Sequence, residues 1–146
     1  MTNMIQGAKA QVAKLTQAAY EKAAAEGLLP AGAEVRATVE IPKDTSHGDY
    51  ASSFAMAGAK ALHMAPRQIA QIIVDHLELE GSYFQKVEIA GPGFLNFRLH
   101  DSWYAGVMSA VESEGDAYGT ADTHKGQKIM VEFVSANPTG PMHMGN

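Results

Sequence analysis

The chain has 146 residues, enough for one domain or for one domain plus part of another. Hydrophobic residues make up 46% and charged residues 18%, a balance that excludes a disordered chain and supplies a core. The net charge of -5 excludes a strongly basic nucleic-acid footprint but leaves room for a local RNA-binding face, and the lack of cysteine excludes disulfides and thiolate metal sites.

Residues 4 to 26 read as a helix, because Ile5, Ala8, Val12, Leu15, Ala19 and Ala23 recur at steps of three and four and alanine is abundant. Asn3 can cap its start and Gly27 can end it. "EVRATVEI" alternates, with Val35, Ala37, Val39 and Ile41 on one face and Arg36, Thr38 and Glu40 on the other, which predicts a half-buried strand. "PKDTSHGD" is a polar loop, after which Asp49 or a neighbour is expected to cap a small-residue helix, "YASSFAMAGAKAL". Pro66 opens a further helix, at a position where its missing N–H costs little, with Ile69, Ile73 and Leu77 on one face and Ala70 and Val74 beside them.

The clearest hairpin is "FQKVEIA-GPG-FLNFRLH", two alternating runs about the turn Gly91-Pro92-Gly93. Leu95, Phe97 and Leu99 form its apolar face; Phe94, Asn96 and Arg98 lie opposite. Asp101 is expected to cap a helix that points Trp103, Val107, Ala110 and Val111 inward. The glycine-bearing "EGDAYGTADTHKGQK" reads as a linker, and "KIMVEFV", which does not alternate, as a strand covered on both faces as in parallel sheets.

The expected architecture is α+β. Helices pack on a small antiparallel sheet over residues 1–119, a linker spans 120–128, and 129–146 begin an α/β domain of Rossmann type. His47, His63, His76, His100, His124 and His143 include no pair at zinc-ligand spacing, so no metal site is expected. No signal peptide and no membrane span are read, so a cytoplasmic protein, monomeric and without a membrane partner, is expected.

The chain closes on "VEFVSANPTGPMHMGN". A buried strand that drops through a Pro/Gly loop into a helix N-terminus is a geometry suited to phosphate. "PMHMGN" resembles the His-Ile-Gly-His signature of class I aminoacyl-tRNA synthetases. With "VEFVSANP" before it, the stretch is similar to arginyl-tRNA synthetases in particular. "GPGFLNFRL" resembles the Gly-x-Gly-aromatic-x-Asn hairpin of that family's additional N-terminal domain, and "HGDYASSFAMAGAK" fits the same domain. The resemblance covers nearly the whole chain. It implies a tRNA-binding N-terminal domain followed by the truncated start of a class I catalytic domain: a fragment of a ligase that joins arginine to tRNA using ATP, with Mg2+, and inactive by itself.

By that resemblance His143 contacts ATP phosphates and stabilises charge as the adenylate forms. Gly145 lets the nucleotide approach, and Asn146, where most members carry a second histidine, can donate a hydrogen bond but no charge. Glu132, Ser135 and Asn137 match positions that hold arginine. Gly140 stands where some members have a lysine, which implies a lysine-bearing loop elsewhere in the ligase. Phe94 would stack on an unpaired D-loop base at the tRNA elbow, Asn96 would read its edge, and Arg98 would pair with phosphate. Structural alternatives stand beside these roles: Phe94 packed under a helix, Asn96 bonded to backbone, Ser135 and Asn137 shaping a turn, Glu132 an exposed charge. Two other functions also remain open, a free-standing RNA-binding module and a partner-binding domain.

Overall fold

The computed structural model describes residues 3–132 and 140–141. Helix α1 spans Met4–Ala25 and starts where predicted: Asn3 Oδ1 accepts from Gln6 N at 3.0 Å. It ends on Gly27, whose φ of 75° lets the Leu28 N–H reach Ala23 O at 2.9 Å and closes the last turn. Ala8, Val12, Thr16, Ala19, Tyr20 and Ala23 form the buried stripe, whereas Ile5, expected on it, is 47% exposed.

The expected strand over residues 34–41 shrinks to β1, Val39–Glu40. Val35 and Val39 still pack on the core, but Ile41 lies beyond the pairing and is 53% exposed. A short 3-10 turn, Thr45–His47, is capped by Asp44, whose Oδ1 accepts from Ser46 N at 2.8 Å.

The expected helix from residue 50 is corrected here. Tyr50–Ser52 form strand β2, and only Phe54–Gly58 are helical, as α2. Asp49 caps nothing. Its N–H donates to Phe97 O and its Oδ2 accepts from Leu99 N, both at 2.8 Å, which lays the next three residues along the hairpin. That tertiary pairing overrides the helix preference of a small-residue run.

Helix α3 (Pro66–Asp75) buries Ile69, Ala70 and Ile73. The hairpin forms as expected, with β3 at Phe84–Ala90 and β4 at Phe94–Leu99. A bulge at Gln85 reverses the alternation, because Phe84 pairs with Leu99 while Lys86 pairs with Arg98. Phe84 thus faces the core and Lys86 the opposite side.

The four-stranded sheet runs β1-β2-β4-β3, antiparallel throughout. Helices α1, α2 and α3 supply one contiguous core with Tyr50, Phe84, Leu95, Phe97 and Leu99. Phe84 sits at its centre, edge-on to Phe97 (5.2 Å between rings) and to Tyr50 (5.9 Å).

Helix α4 (Asp101–Glu114) is capped by His100, whose Nδ1 accepts from Ser102 N at 3.1 Å; Asp101 is its first residue rather than its cap. None of its residues is buried. Trp103 packs partly on the core, and Val111 is exposed instead of inward. Of the doubly covered strand expected at "KIMVEFV", Ile129, Met130 and Val131 form no strand and are 58%, 93% and 71% exposed, while Phe133 and Val134 lie outside the described residues. A strand needs a neighbour to take its N–H and C=O groups, and no described strand runs beside this segment.

Candidate nucleic-acid interface

Cross-strand pairing aligns Glu40, Ala51, Asn96 and Glu88 in one row across the sheet face that the helices leave uncovered. Directly paired residues project to the same side. Over this row lies a concave pocket of about 260 Å³. Ala51 and Asn96 form its floor, Phe94 and Pro92 bound it at the hairpin turn, and Glu40, Pro42 and His47 enclose it from the β1 side.

The hairpin end is fixed by close packing. Gly93 has φ of 141°, and a Cβ there would stand 3.0 Å from the Pro66 backbone, so the turn sits directly on the start of α3. Arg67 NH1 donates to Gly91 O at 3.4 Å. Phe94 is half-buried, lines the pocket and has no ring partner among the described residues. Asn96 is only 7% exposed, yet its amide makes no side-chain hydrogen bond among the described residues. Its polar atoms still reach solvent through the pocket, since among the described residues the buried side-chain polar atom without a partner is Trp103 Nε1 and not an atom of Asn96.

Arg98 shares the strand face but does not line the pocket. It donates from NH2 to Ser46 O at 2.8 Å and places Nε 3.6 Å from Glu88 Oε2. Lys86 Nζ lies 2.8 Å from the other oxygen, Glu88 Oε1. The Lys86 hydrogen bond and charge, with Arg98 behind them, hold the Glu88 carboxyl below the usual carboxylate range. Glu40 is the acidic residue of the lining, and the basic residues lie outside it: Arg67 bonded to the turn, Lys86 and Arg98 on Glu88, and Lys43 next to Pro42 in sequence.

The structure therefore brings Phe94 and Asn96 together and turns Arg98 away to a protein carbonyl and a carboxylate. Glu132 lies in the exposed segment after α4, apart from this pocket. Ser135, Asn137, His143, Gly145 and Asn146 lie outside the described residues. Glu40 and His47 were not singled out from the sequence. Alternation puts Glu40 on the polar face of its strand, but only the register places it beside Ala51. Among the described residues no cluster could hold a metal ion, and no helix is long and apolar enough to cross a membrane.

A family model described as the arginyl tRNA synthetase N terminal domain matches residues 9–99, which contain the whole sheet and the pocket. The chain belongs to this family. All 146 residues align at 44% identity with the arginine–tRNA ligase of Acetivibrio thermocellus, and equally at 44% with that of Caldanaerobacter subterraneus subsp. tengcongensis. In both cases the chain spans 26% of the relative's length. The crystal structure of arginyl-tRNA synthetase from Plasmodium falciparum superposes with a TM-score of 0.51, covering 65% of this chain and 16% of that one. At 15% identity that likeness shows the fold alone, and it is the α+β fold expected from the sequence. This N-terminal domain of arginyl-tRNA synthetase type thus carries its pocket on the side of the sheet opposite its core.

Proposed function

We propose that the chain is the tRNA-recognition part of an arginine–tRNA ligase, which attaches arginine to its cognate tRNA at the expense of ATP, with Mg2+. In this reading residues 1–119 form the tRNA-binding domain, 120–128 a linker, and 129–146 the start of the catalytic domain. His143, Gly145 and Asn146 then meet ATP, and Glu132, Ser135 and Asn137 meet arginine. The protein works in the cytoplasm as a monomer.

The observation that carries the tRNA assignment is the pocket holding Phe94 and Asn96 on the uncovered sheet face. A half-buried ring offers a stacking surface, and an unpartnered amide offers one donor and one acceptor edge. That is the equipment with which proteins read a splayed-out RNA base. The base assigned to it is in the D-loop, at the tRNA elbow. The core side of the same strand supports this division of labour, because Leu95 and Phe97 are fully buried.

The test pairs thermal stability with affinity for a tRNAArg transcript. Phe94→Ala is expected to weaken binding by roughly five- to a hundredfold, as lost base stacking does, and Asn96→Ala by roughly two- to tenfold, as a lost hydrogen bond does, while the domain stays folded. Leu95→Ala and Phe97→Ala are expected to lose ~2–5 kcal/mol of stability instead. Unchanged affinity in folded Phe94→Ala and Asn96→Ala proteins would refute the assignment.

A further inference from the structure

Of the "HGD" at residues 47–49, His47 lines one end of the pocket, and Arg98, which does not line it, is tethered to the turn that carries His47. We propose that Arg98 is a positioning residue that holds residues 44–48 as a wall of the outer-face pocket, and that His47, carried on this wall, is a third side chain in contact with the bound nucleotide. The inference rests on the tRNA reading of the pocket.

The wall is a small rigid unit. Asp44 Oδ1 accepts from Ser46 N at 2.8 Å, Asp44 O from His47 N at 3.0 Å, and Thr45 O from Gly48 N at 3.2 Å. Its C-terminal end is stitched to β4 through both hydrogen bonds of Asp49, to Phe97 and Leu99. Gly48 brings it down onto that strand: with φ of 87°, a Cβ there would stand 2.8 Å from Phe97 O. These contacts fix the base of the turn. Its tip, which carries His47, is joined to the sheet through the 2.8 Å bond from Arg98 to Ser46 O.

Arg98 is suited to this task rather than to phosphate. One part of its guanidinium meets the Ser46 carbonyl, and another faces Glu88, which Lys86 also holds. A phosphate on either of these two edges would have to displace a partner, and only the NH1 donors stay open. His47 is exposed, lines the pocket, and lies at the end away from Phe94. A base stacked on Phe94 and read by Asn96 therefore presents its sugar, phosphate or far edge to the imidazole, which can donate to any of these.

The experiment measures tRNAArg transcript binding at pH 8 by the 146-residue chain and by His47→Ala, Arg98→Ala, Arg98→Lys and the double alanine variant, each checked for a cooperative melt. Each single alanine change is expected to weaken binding roughly two- to tenfold, as a lost hydrogen bond does. The double variant should be no weaker than the weaker single one, because Arg98 acts through His47. Arg98→Lys should bind as poorly as Arg98→Ala, and the slope of log affinity against log salt should stay at its wild-type value. A direct phosphate contact gives the opposite set: lysine rescues, the two losses multiply, and the slope falls by roughly one in Arg98→Ala. That set, or a His47→Ala protein with wild-type affinity, overturns the inference. If Phe94→Ala and Asn96→Ala also bind normally, the tRNA reading itself has failed; if they bind weakly while His47→Ala does not, only the third contact is lost.

Discussion

Gly48→Ala should be among the costly small changes in this domain, for two separable reasons. At φ of 87° and ψ of -172° an alanine enters a backbone region that is essentially glycine-only, at a cost of ~1–3 kcal/mol. Its Cβ would also lie 2.8 Å from Phe97 O and 3.4 Å from Phe97 C. Phe97 cannot retreat cheaply, since β4 is flanked by β2 and β3 and its ring is fully buried against Phe84. Relieving the overlap shifts the turn instead and strains the Asp49 bond to Phe97 O, for a further ~1–3 kcal/mol. Gly81→Ala is a control for a positive φ without a contact, because its φ is 72° and nothing lies within 4 Å of the added carbon. It should carry a backbone cost alone. Urea unfolding of both variants should show the larger loss in Gly48→Ala, and in a chain of 146 residues each kcal/mol corresponds to about 3–4 °C in Tm. The Asp49 amide should also exchange faster in Gly48→Ala. Two variants of equal stability, with Asp49 equally protected, would refute the account of the turn.

Tyr20→Phe should destabilise by ~1–3 kcal/mol, measured by thermal or urea unfolding. The Tyr20 hydroxyl donates to Pro30 O at 2.7 Å and accepts from Ala33 N at 2.8 Å, and both partners would lose it. Asn3→Ala should cost ~1 kcal/mol through the lost cap of α1, with Asn3→Asp retaining most of it. The Glu26 carboxylate bonded to His76, and the Ile72 carbonyl after it, raise the His76 pKa above its ordinary value against the opposing effect of burial. The stabilisation is therefore fully present below about pH 6.5 and fades as pH rises through the higher folded value. His76→Gln should flatten the fall in unfolding free energy over that window, and an unchanged pH slope would remove the His76–Glu26 link.

The elements that could be read directly were those whose pattern is local. Helix α1 announces itself by its alanine-rich periodicity and its Asn3 and Gly27 ends, α3 by Pro66, and the hairpin by Gly-Pro-Gly between two alternating runs. Strand β2 was not legible, because Tyr50, Ala51 and Ser52 have helix-compatible neighbours and become a strand only by pairing with Leu95, Asn96 and Phe97 more than forty residues away. The bulge at Gln85 was hidden for a related reason. A period of two can be counted along one strand, but an extra residue shows only against the partner.

The same limit shaped the reading of the pocket. Phe94 and Asn96 lie two apart on one strand, so their shared face follows from alternation alone. Arg98 continues that face, and sequence gives no reason to separate it from them. What separates it is the turn at residues 44–48, which crosses the end of the sheet and takes the guanidinium for itself. The turn that removes Arg98 also supplies His47, and the register of β1 on β2 supplies Glu40. A binding face on a sheet is thus half written along each strand and half across them. Periodicity recovers the first half, and the second depends on which strands are neighbours. Here that order was set by a strand that looked like a helix.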